Sequence, residues 1–153
     1  MPKFAFRLEP VLGYRQRLED EQQIVFAAAL ADLKAAEAVR DGYVAKRREM
    51  HERLHRYHGE MDVVELRATY AHCDFLDRSI VAQASVIREK LAVVDRERFE
   101  LVAKSKDKKI LEVLKERRRE TFEAEAGAAA QQESDEINAR RYDRAITTWE
   151  NPS

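Results

Sequence analysis

Proline is missing from residues 11–151, because the three prolines are Pro2, Pro10 and Pro152. Without the strongest helix breaker, that stretch can run as helix, interrupted only by Gly13, Gly42, Gly59 and Gly127. A single cysteine, Cys73, excludes an internal disulfide and with it the stapled secreted domains. The opening Met1-Pro2-Lys3-Phe4 lacks the apolar core of a signal peptide, and no run approaches the roughly 18–20 apolar residues of a membrane span. The chain is therefore expected to be cytoplasmic. A formal net charge of −1 gives no global attraction to nucleic acid or acidic lipid. The sequence also lacks a phosphate-binding glycine loop, a nucleophile elbow and a carboxylate pair set for a pocket, so neither catalysis nor a cofactor is expected.

What is abundant is charge. Twenty-eight basic and 29 acidic residues make 37% of the 153, against an ordinary share of about a quarter. A sphere of this size cannot expose so many charges while burying 44% apolar residues; an extended rod can. The expected fold is all-α: a long two-helix antiparallel coiled-coil hairpin, its second helix longer than its first, in one extended domain over residues 1–153. Pro10 suits a helical first turn. Gly59 can end a helix in the left-handed conformation, and Asp62 with Glu65 resembles a capping box. These signals predict a first helix over 10–57, a turn over 58–62 and a second helix over 63–147.

Apolar spacing places the first seam on Val11, Leu18, Val25, Ala29, Leu33 and Ala36, then Tyr43, Met50, Leu54 and Tyr57, with Arg15, Gln22, Arg40 and Arg47 on or near it. The second seam is read as Leu66, Tyr70, Cys73, Asp77, Ile80, Ala84, Ile87, Leu91, Val94, Arg98 and Leu101, shifting phase to Leu111 and Leu114. With the turn near residue 60, residues 10–57 pair with about 63–110, which leaves 111–147 without a partner inside the chain. An unpaired helix needs strong propensity or an external surface to hold it.

Charge is sorted along that second helix. Residues 104–119 hold eight basic side chains, Lys104, Lys106, Lys108, Lys109, Lys115, Arg117, Arg118 and Arg119, against three acidic ones. Residues 120–136 hold six acidic side chains and no basic one. The basic block is a candidate protein-docking surface; the acidic sleeve after it argues against nucleic acid. Tyr70 and Phe75 beside Leu76 form a second candidate, with Tyr43 facing them across the hairpin: Tyr70 marks the seam and Phe75 and Leu76 cannot both share its centre, and an aromatic left off it can anchor a partner. His51, His55 and His58 have metal-ligand spacing, but near an exposed turn they read as solvated, and no metal site is assigned.

The opening Phe4-Ala5-Phe6-Arg7-Leu8-Glu9-Pro10-Val11-Leu12-Gly13-Tyr14-Arg15, followed by Glu19-Asp20-Glu21, resembles the start of the flagellar export protein FliJ family, where a phenylalanine-bearing strand leads into a helix. Phe75-Leu76 with Ile80 and Gln83 is similar to the family's mid-chain segment, and residues 106–118 to its lysine-rich signature. Glu133-Ser134-Asp135-Glu136 matches the C-terminal element only in part. The resemblance implies a stalk and escort of the flagellar type III export apparatus. It would bind the hexameric export ATPase FliI, link it to the export gate protein FlhA and assist export chaperones, peripherally at the cytoplasmic face of the inner membrane. It also suggests the gate as partner of the aromatic region. The isolated chain is expected to be monomeric. The alternatives are the equivalent stalk of a virulence type III system, or a generic structural coiled coil that dimerises through its own seam.

Overall fold

The computed structural model describes residues 2–150. Two α-helices, α1 (Glu9–Tyr57) and α2 (Val63–Glu150), form a helical hairpin with the second helix the longer, and among the described residues there is no strand. Residues 2–6 are irregular rather than a strand, because no second strand runs beside them to complete a ladder. Two compact units divide the chain: Gln16–Lys106, and Met1–Arg15 with Asp107–Ser153.

In the first unit the helices meet at a tight turn. α1 closes through backbone bonds from His58 N to Leu54 O and from Glu60 N and Met61 N to Tyr57 O. No described glycine has a positive φ, so the left-handed ending expected of Gly59 does not form; the right-handed bonds already satisfy the last carbonyls. Asp62 Oδ1 accepts a 2.7 Å bond from Glu65 N, the capping contact read from the sequence. The reciprocal half of the box is replaced, for Glu65 Oε1 accepts from Arg53 Nη2 at 3.1 Å.

Burial relocates the seam. On α2 the residues at least half-buried recur as Leu66, Thr69, Cys73, Leu76, Ile80, Gln83, Ile87, Lys90, Val94, Glu97, Leu101 and Lys104. Every second position is thus one residue earlier than expected: Tyr70 and Leu91 are exposed, while Leu76 is 1% exposed. On α1 the sequence reading holds from Ala29 to Leu54, Arg47 excepted, which is exposed. Before Ala29 the reading holds at Gln22, which is buried, and at Arg15 and Leu18, which are half-buried; it fails at Val11 and Val25, which face solvent while Glu19 is buried and Phe26 partly covered. The two corrections differ in kind. On α1 the expected seam takes two four-residue steps in a row, Val25 to Ala29 to Leu33, and so leaves the alternation; on α2 it alternates strictly but in the opposite phase, since three and four can be taken in either order from the shared positions Leu66, Cys73, Ile80, Ile87, Val94 and Leu101.

Cys73, Leu76 and Val94 in α2, with Ala29, Ala36 and Leu54 in α1, form the apolar part of this core. Burial, with Asp77 and Asp74 nearby, pushes the Cys73 thiol up, so it acts as a small protonated hydrophobe.

In the second unit, residues 2–15 pack along the start of its α2 segment. Phe6 is buried, the Phe4 and Phe122 rings lie 5.7 Å apart and tilted by 48°, and Lys115 Nζ pairs with Glu9 Oε2 at 2.8 Å. The partnerless stretch expected over 111–147 therefore begins only after Phe122: residues 123–147 are all exposed. Non-helical backbone advances about 3.3 Å per residue against about 1.5 Å for helix, so a few residues before Glu9 cover several helical turns.

Candidate partner-binding surfaces

The eight basic residues do not form one surface. Two lie in the first unit, where Lys104 is half-buried and donates from Nζ to Gln22 Oε1 at 3.2 Å, while Lys106 is exposed. In the second unit Lys108 and Lys115 turn toward the seam side. Lys108 approaches Glu112 at 3.9 Å with its side chain 18% exposed, and Lys115 is held by Glu9. Lys109, Arg117, Arg118 and Arg119 point to solvent. Arg119 is tethered to Glu116 at 2.7 Å and Glu123 at 3.8 Å, and Lys109 to Glu112 at 3.8 Å. Exposed pairs of this kind contribute about 0–1 kcal/mol each and exchange readily for a partner's charges.

Arg118 has a distinct place. It lines a groove of about 340 Å³ with Ala5, Phe6, Arg7 and Leu8, and a second of about 530 Å³ with Lys3, Phe4 and Phe122. Both combine apolar walls with cationic rims. The alternation of Phe4, Phe6 and Leu8 was the signal that these side chains pack; what they pack against was not readable from spacing. Further along the same unit, exposed Tyr142, Ile146 and Trp149 follow the acidic sleeve, the last 85% exposed. They form a stripe at helical spacing that the sequence reading passed over.

The aromatic candidates also separate, all within the first unit. Leu76 is fully enclosed, Tyr43 is half-buried, and Gln83 Nε2 donates to the Ala36 carbonyl at 2.9 Å. Tyr70 and Phe75 remain outside, 50% and 53% exposed, and the His72 and Phe75 rings stack at 6.3 Å. His51, His55 and His58 are exposed, and among the described residues no cluster of three His, Cys, Asp or Glu side chains is disposed to hold a metal. No helix among the described residues is long and apolar enough to cross a membrane.

The most unexpected group is polar and buried. Gln22 Nε2 donates to the Glu97 carbonyl at 3.1 Å and to Glu97 Oε2 at 2.6 Å, while its Oε1 accepts from Lys104. The Gln22 amide holds the Glu97 carboxyl below the usual carboxylate range, and Arg96 and Lys104 add to the effect. Glu19, one turn before Gln22, is likewise buried.

Neither a curated protein nor a solved structure matches this chain. A family model, the flagellar FliJ protein, matches residues 4–147, nearly its whole length. With two helices in a hairpin and a polar seam, the chain belongs to the FliJ family, whose members are non-catalytic components of flagellar type III export.

Proposed function

We propose that the protein is a stalk and escort that binds the flagellar export ATPase FliI, promotes its assembly into a hexamer, links it to the export gate protein FlhA and assists the cycling of export chaperones. In this reading it acts as a monomer on the cytoplasmic face of the inner membrane, held there through its partners. The observation that carries the proposal is Arg118, which lines both grooves walled by Phe4, Phe6 and Phe122, on a stretch of helix where Lys109, Arg117 and Arg119 are also exposed. Cations steer and orient an acidic partner, and apolar grooves slow its departure. Lys106 extends the cationic set in the first unit, whereas Lys104, Lys108 and Lys115 act through the packing that orients the helices. For the gate, Tyr70 and Phe75 offer exposed aromatic anchors, with Leu76, Tyr43 and Gln83 supporting them from within the hairpin.

A titration of the cognate export ATPase tests this. Adding the protein is expected to raise ATPase activity and hexamer fraction, and reversing charge at Lys109, Arg117, Arg118 and Arg119 together to abolish most of the rise. Absence of stimulation at concentrations where the two proteins bind would overturn the regulatory reading.

A further inference from the structure

Two glutamines cross the hairpin seam in opposite directions. Gln22 on α1 donates to the backbone carbonyl of Glu97 on α2, and Gln83 on α2 donates to the backbone carbonyl of Ala36 on α1. The two bonds share one register. Moving 14 residues forward on α1, from Gln22 to Ala36, moves 14 residues back on α2, from Glu97 to Gln83. They are therefore two heptads apart on both helices and related by a local pseudo-twofold, with Ala29 opposite Lys90 at its centre.

We propose that Gln22 and Gln83 guard the register of the hairpin in one direction, a reciprocal pair of clamps that together resist the one-heptad slip toward Tyr43. A helix carries inward-facing carbonyls at every heptad, so a backbone bond alone does not choose among heptad slips; the residues around each glutamine do. A slip of seven residues one way sets Gln22 against Lys90 with Glu97 where Lys104 stood, and Gln83 against Ala29, so both amides keep partners of the same kind and the glutamines tolerate it. A slip of seven the other way sets Gln83 against Tyr43, whose ring fills the space that Ala36 leaves open. In the observed register both amides are satisfied, and Gln22 also takes the Lys104 ammonium on its oxygen. A buried polar group that loses its partner carries a large penalty, whereas an apolar seam of alanine, leucine and valine slips at little cost.

The test uses the full chain with Cys73→Ala and a flexible Gly-Ser insert after Gly59, so that the turn no longer dictates alignment. Cysteine pairs report register: Leu33→Cys with Ile87→Cys reads the observed one, and Leu33→Cys with Ile80→Cys or Val94→Cys reads a slip of one heptad either way. With both glutamines present, disulfides are expected at the first pair and not at Leu33→Cys with Val94→Cys. Replacing both by methionine, close in volume but without a donor, is expected to raise the Leu33→Cys with Val94→Cys cross-link about tenfold, and the Leu33→Cys with Ile80→Cys one far less, while helicity by circular dichroism persists. Should the double variant lose helicity, Gln83→Met alone, which keeps the Gln22 layer, carries the test and is expected to raise slippage toward the Tyr43 alignment. A Leu33→Cys with Val94→Cys cross-link unchanged on losing the glutamines, or already abundant with both in place, would overturn the proposal.

Discussion

Residues 16–106 and residues 107–150 are built from the same kind of helix and put it to opposite uses. In the first region α2 has a partner along its length, Gln83, Glu97 and Lys104 of its seam are bonded across the hairpin, and Leu76 and Val94 are 1% exposed. In the second, only the part before residue 123 is covered, by the short arm that begins the chain, and everything from 123 to 147 faces solvent. The first region covers most of its seam from within; the second leaves its sorted charge and its aromatic stripe exposed. A high charge content alone does not separate these cases. What separates them is whether each charge meets its counterpart inside the chain, as Lys104 does through Gln22 and Lys115 does through Glu9, or is sorted by sign along an open helix.

The largest effect is expected where the self-contained region is broken from within. Leu76→Ala should destabilise the hairpin by about 2–5 kcal/mol, seen as a lowered urea midpoint, because it empties an enclosed site in a seam with few large apolar groups. A loss below about 1 kcal/mol would mean that the seam collapses around the gap. The second region should be more forgiving. Phe122→Ala removes the ring contact with Phe4 and is expected to cost about 1–2 kcal/mol locally, freeing residues 2–8 to proteolysis while hairpin stability is unchanged. The smallest effect is electrostatic. The folded protein holds the Glu97 carboxyl below its ordinary range, so its contribution is present at neutral pH and is lost as pH falls through that depressed range, where the folded state must take up a proton against the Gln22 bond. The thermal midpoint of the native protein should therefore fall more steeply on acidification than that of Glu97→Gln.

The sequence made the helix limits legible, because proline placement, Asp62 and the one good break near Gly59 act locally. Seam phase was legible only where apolar residues mark it. From Ala29 to Leu54 they do; around Glu19, Gln83, Lys90 and Glu97 the covered positions carry polar side chains, and for two of them the partner lies far along the chain, 75 residues away for Glu97 and 47 for Gln83. No periodicity reports such a pairing. The same limit affected the candidate surfaces: eight basic residues in one block looked equivalent, and Lys104, Lys108 and Lys115 left the exposed set only once their neighbours were placed. Leu76 and Gln83 moved inward for the same reason, leaving Tyr70 and Phe75 outside.

The contrast between the two regions can be measured by hydrogen exchange of the full protein, alone and with its export ATPase. If residues 107–150 are the part held ready for a partner, their amides should exchange fast in isolation and become protected on complex formation, while those of residues 16–106 change little. Protection gained chiefly within residues 16–106, or spread evenly along both helices, would contradict the account.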